Sequence, residues 1–181
     1  MPRRHPLPKR WLMTDERLGG ALLEIVASLP PGSGIVFRHY SLAPVERRTL
    51  FDRVRAAAGD AVLLLAGPDA LAAEWGADGS HNRDSQRRGE GWRSAPVHAL
   101  EDLRAAEAAG ADFVFLSPLF ATRSHPGAAP LGPERFAEIA REAEQPVIAL
   151  GGMNEDRGRE AEALGAYGWA GIDAFAARPM R

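Results

Sequence analysis

The sequence lacks cysteine entirely across its 181 residues. This absence excludes disulfide bonds, thiolate nucleophiles, iron–sulfur ligation and thiolate zinc sites. An excess of positive charge is missing too, because 22 Lys and Arg face 24 Asp and Glu, giving a formal net charge of -2. We therefore expect the protein to bind neither nucleic acid nor an anionic membrane surface.

Long hydrophobic runs are also absent. No apolar stretch approaches the roughly 18 residues that a membrane-spanning helix needs. The basic opening MPRRHPLPKR has no apolar core behind it, so it is not a secretory signal. These features predict a cytoplasmic protein with a basic, loosely attached tail at residues 1–10 and a single domain at residues 11–181.

Short apolar runs alternate with helical patterns from one end of the chain to the other. The runs are continuous rather than alternating with polar residues, which indicates strands covered on both faces. The predicted strands are 11–14, 35–37, 61–65, 113–116, 146–150 and 168–172. The predicted helices are 46–58, 101–109 and 133–143. This alternation indicates a mostly parallel sheet with right-handed crossovers.

Two α/β architectures are compatible with this alternation. A barrel of eight units leaves 181/8, or about 23 residues for each unit, below the ~25 to 30 of an ordinary barrel. A doubly wound sheet of five or six strands fits the length more comfortably. Periodicity alone therefore slightly favours the open sheet, with the polar stretch 78–93 as a long loop or a shortened βα unit.

The segment after the predicted strand 113–116 is the most unusual in the chain. It brings Thr122, Arg123, Ser124 and His125 together just past a strand's carboxyl end, where α/β folds place their sites. Hydroxyls and a guanidinium suit a phosphate or a carboxylate, and His125 could act as an acid, a base or a donor near neutral pH. A solvated loop whose prolines break the structure is the alternative.

The pair Gly151–Gly152, where the predicted strand 146–150 ends, is a second candidate. Residues without side chains let backbone N–H groups approach an anion, and a helix amino terminus favours negative charge. A tight turn between a strand and a helix explains the pair equally well. This segment alone leaves both interpretations open.

The loop 117–125 reads SPLFATRSH, and the segment 146–153 reads PVIALGGM. Together they resemble the thiamine phosphate synthase/TenI family, whose members carry a G/S-P-(hydrophobic)-F-x-T-x-(S/T)-K loop and a strand close to P-V-x-A-I-G-G-I. Segments 12–15, 94–98 and 168–175 are similar to further family landmarks in the same order. The resemblance implies a compact (β/α)₈ TIM-type barrel with the fourth or fifth helix trimmed. It reverses the preference for an open sheet.

Family synthases join a pyrimidine diphosphate to a thiazole phosphate with release of pyrophosphate. The resemblance therefore implies a small phosphorylated heterocycle as substrate, Mg²⁺ as cofactor and a homodimer. It implies catalytic roles for Arg38, Ser124 and His125, and a metal-binding role for Asp84. The substrate or phosphate contacts that it implies are Thr122, Arg123, Gly151, Gly152, Gly171 and Ile172.

The chain departs from the family's pattern at positions that handle charge. Tyr40 stands where the second strand usually carries a lysine, and His125 stands where the loop lysine belongs. Asp173 takes the place of a serine in the phosphate-binding last turn, where a carboxylate would repel phosphate. These exchanges remove electrostatic stabilisation from a departing pyrophosphate.

Two alternatives to the synthase reaction stay open. The TenI branch of the family tautomerises a thiazole carboxylate phosphate with a histidine base at the position of Pro118, and His125 could reach the same pocket. The second alternative is a non-catalytic protein that binds a thiamine intermediate. It is supported by the lost lysines and the retained Thr122, Gly151 and Gly152.

The remaining histidines are predicted to serve the scaffold. His98 matches a family histidine on the fifth strand, and we expect it to be buried and hydrogen-bonded. His39 faces away from Arg38 along its strand, as a scaffold or surface residue. His81 and Asp84 have the H-x-x-D spacing of a metal site, although a solvated polar loop explains them as well.

Overall fold

Eight parallel strands close into a barrel in which each strand pairs with the next along the chain and the last pairs with the first. The computed structural model describes residues 6–85, 89–122 and 129–176. The strands are β1 (Arg10–Met13), β2 (Gly34–Phe37), β3 (Val62–Ala66), β4 (Gly79–His81), β5 (Trp92–Val97), β6 (Phe113–Leu116), β7 (Val147–Leu150) and β8 (Gly168–Gly171).

Helices follow seven of the eight strands within those described ranges. A 3₁₀ turn (Glu16–Ala21) leads into the first of them. The helices are α1 (Leu22–Ala27), α2 (Pro44–Ala57), α3 (Asp69–Glu74), α4 (Leu100–Ala108), α5 (Gly132–Glu142), α6 (Glu155–Ala163) and α7 (Asp173–Ala176). None of these helices is long and apolar enough to cross a membrane.

The closed barrel confirms the architecture that the family resemblance implies, and the open sheet that periodicity favoured is wrong. The average length of a βα unit favoured the wrong architecture because the units differ in length. Helix α3 has six residues and α7 has four, and no helix lies in the described parts of the β4–β5 connection. The fourth βα unit is therefore the shortened one.

Aromatic rings fill the lumen of the barrel. Trp11 on β1 lies 5.1 Å from Phe113 and 5.6 Å from Phe115 between ring centroids, although β1 and β6 are not neighbours in the sheet. Gly34 on β2 leaves room for the indole, since a Cβ there would lie 2.3 Å from the Trp11 ring. The lumen is thus a packed core, and space for a ligand is left at its ends.

The outer face of the sheet is apolar where helices cover it. Val114 and Leu116 on β6 point away from the lumen and belong to one buried cluster with Phe136 and Ile139 of α5. This outward layer explains why β6 is apolar on both faces. The predicted strands 113–116 and 146–150 were recognisable for the same reason.

The strand β4 was missed in the sequence because its residues are polar. Its Ser80 points outward and donates a short hydrogen bond to Asp69. Asn82 donates to the same carboxylate at 3.0 Å, and the Arg93 guanidinium donates to the Asn82 side chain at 3.1 Å. Arg93 is only 2% exposed. These polar side chains, named here the polar layer (Asp69, Ser80, Asn82 and Arg93), cover β4 on the side where no helix lies in the described residues.

Part of the segment that the sequence suggested was a loosely attached tail is held by the barrel. The Trp11 indole donates a hydrogen bond to the Pro8 carbonyl at 2.8 Å, and the Tyr167 hydroxyl donates to Leu7 at 3.0 Å. The Lys9 carbonyl accepts from the Trp169 N–H at 2.8 Å. Residues 7–9 therefore extend the contacts of β1 toward β8.

Candidate functional site

A cavity of about 390 Å³ opens at the carboxyl ends of β6, β7 and β8 and is named here the mouth cavity. Its volume lies in the range of small-molecule sites, and TIM-type barrels bind their ligands at this end. Five of the six predicted contacts meet there, together with Arg17, which was not predicted. The lining includes Arg17, Thr122, Gly151, Gly152, Gly171, Ile172 and Asp173.

Glycine is required at 151 and 152 because the loop after β6 packs directly on them. Both have positive φ, 101° and 64°. A Cβ at Gly151 would lie 2.7 Å from the Pro118 Cα, and one at Gly152 would lie 2.6 Å from the Ala121 carbonyl oxygen. The pair therefore joins two loops tightly, and its backbone forms one wall of the mouth cavity.

The amino terminus of α6 is already satisfied by its own residues. The side chain of Asn154 accepts a hydrogen bond from the Arg157 N–H at 2.9 Å, and Glu155 and Asp156 occupy the first turn. Acidic residues at this end offset the helix dipole. An anion in the mouth cavity would therefore meet the backbone of Gly151 and Gly152 rather than a bare helix end.

Four charged side chains of alternating sign form a row of ion pairs, and two of them, Arg17 and Asp173, line the mouth cavity. Arg38 donates to Asp15 at 2.8 Å. Arg17 lies 3.6 Å from Asp15 and 3.6 Å from Asp173. The carboxylate of Asp173 thus faces a guanidinium, which offsets the repulsion of phosphate expected from the sequence. The sequence did not predict Arg17 as a site residue, because a charged residue in a polar loop does not by itself indicate a binding site.

Arg38 is held away from the mouth cavity by the strand beside it. Besides its bond to Asp15, its Nε donates to the Thr14 carbonyl at 2.7 Å. Its backbone N–H donates to the Thr14 hydroxyl at 3.0 Å. The guanidinium is bonded to Thr14 and Asp15, just after β1, and does not line the mouth cavity. The catalytic role of Arg38 therefore stays a prediction.

Comparison with known proteins decides the family. The family model TMP-TENI, described as thiamine monophosphate synthase, matches residues 12–175. The chain belongs to this family. A thiamine-phosphate synthase of Methanoregula boonei is 31% identical over 185 residues, covering 93% of this chain and 86% of that protein.

Two further similar proteins align with different shares of this chain. The putative thiamine-phosphate synthase 2 of Aquifex aeolicus is 45% identical over 79 residues. The aligned part is 44% of this chain and 42% of that protein, so the chain spans less than half of this relative. The solved thiamine phosphate pyrophosphorylase from Pyrococcus furiosus is similar at 25% identity with a TM-score of 0.77, covering 92% of this chain and 86% of that one.

The described acids of this family member do not fit a preformed magnesium site. Asp84 is exposed on the β4–β5 connection, and Asp69 takes hydrogen bonds from Ser80 and Asn82 outside the barrel. Nowhere in residues 6–85, 89–122 and 129–176 do three His, Asp or Glu side chains gather closely enough to hold a metal ion.

Three of the predicted site residues lie outside the described residues. They are Arg123, Ser124 and His125 in the loop after β6, and their roles remain predictions. In the part of the loop that precedes them, Leu119 donates to the Leu150 carbonyl at 2.8 Å, and Thr122 lines the mouth cavity.

The described histidines occupy three different environments. His39 is buried, accepts or donates a bond with the Thr14 hydroxyl at 3.0 Å, and has a φ of 40°, which confirms a scaffold role. Burial lowers the pKa of His39, although the nearby carboxylates of Glu16 and Asp15 oppose the shift. His98 is exposed, so its predicted burial is wrong. Its Nδ1 nevertheless lies 2.9 Å from the Ser117 carbonyl oxygen.

His81 lies inside the barrel rather than in a solvated loop. Its ring meets Phe115 edge-on at 5.3 Å between centroids, and its Nδ1 lies 2.9 Å from the Ser94 hydroxyl. Burial lowers the pKa of His81 to about 3, and the positive charges of Arg38 and Arg83 act in the same direction. The imidazole is therefore neutral at physiological pH, paired with Ser94 and separated from Asp84.

This low pKa makes stability depend on pH. Between pH 6.5 and about 3, His81 binds a proton in the unfolded chain but not in the folded one. Stability therefore falls as pH falls, by about 2 kcal/mol between pH 7 and pH 5. We expect His81→Gln to remove this loss, measured as the difference in urea unfolding between variant and wild type at both pH values. Equal losses in the two proteins would contradict the prediction.

Proposed function

We propose that the protein binds a thiazole phosphate in the mouth cavity and transfers a pyrimidine group to it. The observation that carries the proposal is the convergence of Thr122, Gly151 and Gly152 with Arg17 around one cavity of about 390 Å³. Hydroxyl, backbone and guanidinium groups are the donors that bind phosphate in other proteins. The names of the relatives from Methanoregula and Pyrococcus support the same chemistry.

In the proposed reaction the thiazole nitrogen attacks the exocyclic carbon of a pyrimidine diphosphate. A carbon–nitrogen bond forms there as the carbon–oxygen bond to the diphosphate breaks, and pyrophosphate leaves with the electron pair. The glycine wall and Thr122 would orient the thiazole phosphate for this attack. Ser124 and His125, which follow Thr122 in the sequence, are the groups that we propose to stabilise the departing pyrophosphate.

One observation favours binding without catalysis as a second candidate. The Arg38 guanidinium, the second-strand cation predicted to be catalytic, is held by Asp15 and the Thr14 carbonyl. A protein with this arrangement would bind a thiamine intermediate and release it unchanged. We also expect a homodimer that does not bind nucleic acid. These two predictions are the same for a transferase and for a binding protein.

A calorimetric titration separates the proposals. We expect thiazole phosphate to bind with micromolar affinity, corresponding to about -8 kcal/mol, and to do so equally with and without Mg²⁺ because the described acids form no metal site. A transferase converts the pair of substrates and releases pyrophosphate, whereas a binding protein gives heat without turnover. No heat from thiazole phosphate, its carboxylated precursor or the pyrimidine diphosphate would contradict both.

Thr122→Val tests the phosphate contact directly. Losing the hydroxyl donor should weaken thiazole phosphate binding about fivefold to tenfold, the effect of about 1 kcal/mol. The matched control is Thr49→Val, since Thr49 is exposed on α2 and bonds only its own helix, donating to the Val45 carbonyl at 2.9 Å. Equal affinities for the two variants would place the phosphate elsewhere.

A further inference from the structure

We propose that Arg17 is the cation that binds the substrate's phosphate, and that Asp173 is a built-in counter-ion which the phosphate displaces. This inference rests on the proposed function, because it assigns charges to the same mouth cavity. Both side chains line that cavity, one from the loop after β1 and the other from the start of α7. Neither was assigned a favourable role from the sequence.

The pairing between the two residues is loose enough to be exchanged. Arg17 Nε lies 3.6 Å from the Asp173 carboxylate, beyond hydrogen-bonding distance. The side chains are 34% and 45% exposed, so solvent screens the pair. A phosphate oxygen that accepts a direct hydrogen bond from this guanidinium would bind it more strongly than Asp173 does.

The second carboxylate near Arg17 does not compete in the same way. Asp15 also lies 3.6 Å from the Arg17 Nε, but it accepts a 2.8 Å hydrogen bond from Arg38. Arg38 therefore balances the charge of Asp15. Asp173 lines the mouth cavity and Asp15 does not, so an anion that enters the cavity meets the carboxylate of Asp173 beside Arg17.

This arrangement predicts an unusual effect of removing an acidic residue. Without Asp173, a phosphate at the Arg17 guanidinium would no longer have to displace the carboxylate that lines the cavity, and the repulsion by that carboxylate would be gone. Thiazole phosphate should then bind more tightly and leave more slowly. The wild-type pairing therefore limits how tightly a phosphorylated ligand binds. It still favours a phosphate monoester over the neutral alcohol.

The experiment is a set of calorimetric titrations with thiazole phosphate, the unphosphorylated thiazole alcohol and inorganic phosphate. We expect Arg17→Gln to weaken thiazole phosphate binding at least tenfold and Asp173→Ser to strengthen it severalfold. The double variant should lose the gain that Asp173→Ser gives alone, and the alcohol should bind all four proteins equally. Arg17→Lys should retain part of the affinity, because it keeps the charge.

Matched controls remove one charge of each sign away from the site. Arg135 and Glu138 form an exposed pair on α5, with 2.9 Å between Nη1 and Oε2. Arg135→Gln and Glu138→Gln change the net charge as the test variants do, and they should leave the affinity unchanged. Thermal unfolding confirms that each variant is folded before it is titrated.

The possible results separate this inference from the proposed function. An affinity that Arg17→Gln leaves unchanged, or one that Asp173→Ser lowers or leaves unchanged, overturns the inference while the proposed function stands. If the wild-type protein does not bind thiazole phosphate but binds inorganic phosphate through Arg17, the inference stands and the proposed function is contradicted. If wild type binds neither, both are overturned.

Discussion

Gly151→Ala should abolish ligand binding and lower the free energy of unfolding by about 2 to 4 kcal/mol. Two costs combine at this position. A φ of 101° is strained for any residue with a side chain, and the new methyl group would lie 2.7 Å from the Cα and 2.8 Å from the Cβ of Pro118. Relief requires the loop after β6 to move, and that loop carries Thr122 into the mouth cavity. Urea unfolding and a titration with thiazole phosphate measure both effects.

The control for Gly151→Ala is a glycine that has the strain without the contact. Gly59, after α2, has a φ of 56°, and a Cβ there would find nothing within 4 Å. Gly59→Ala should cost about 1 kcal/mol from the backbone alone and leave binding intact. Similar losses for the two variants would show that the packing of Pro118 on Gly151 contributes little.

Arg93→Met should lower the free energy of unfolding by about 3 kcal/mol. The guanidinium is 2% exposed, and its Nη1 lies 3.8 Å from the Asp69 carboxylate. Its Nε and Nη1 make no hydrogen bond, so this interaction is a charge–charge attraction in a buried setting. Removing the cation leaves the buried carboxylate of Asp69 without that attraction, and urea unfolding measures the loss.

Two further variants show whether the loss comes from the buried charge. Arg93→Met combined with Asp69→Asn removes both charges and should recover part of the stability, as a double-mutant cycle would report. Arg83→Met removes an arginine from the same wall of the barrel, where Arg83 pairs with Asp102 at 2.8 Å while 52% exposed. That variant should cost below about 1 kcal/mol. A loss as large as that of Arg93→Met would show that burial is not the cause.

Much of the barrel could be predicted from the sequence because most of its strands are covered by helices. β6 and β7 are apolar on both faces, and the predicted strands match them to within one residue. β4 could not be found in this way, since its outward Ser80 contacts the polar layer and its inward His81 pairs with Ser94. The apolar pattern predicted six strands and missed both β4 and β5, because β4 is short and polar and β5 carries Arg93 and Ser94. The number eight came only from the family resemblance.

The candidate site was predictable where backbone geometry requires particular residues. Gly151 and Gly152 are marked in the sequence by the absence of side chains, and the close approach of Pro118 and Ala121 explains why. Charge pairing was not predictable, because it depends on which loops meet in space. Asp173 was expected to repel phosphate, and only the position of Arg17, more than 150 residues away in the chain, shows that its charge is offset.

The lack of a helix in the described parts of the β4–β5 connection also has a consequence for motion. β4 has only three residues, and on the outer side of the neighbouring β5 a cavity of about 240 Å³ lies between the β4–β5 connection and the alanines of α4. Short ladders with little apolar cover open locally at lower free energy than the rest of a fold, so their amides exchange with solvent first. The mouth cavity is formed by β6, β7 and β8 on the far side of the barrel. The barrel wall at β4 can therefore open locally while the wall formed by β6, β7 and β8 remains closed.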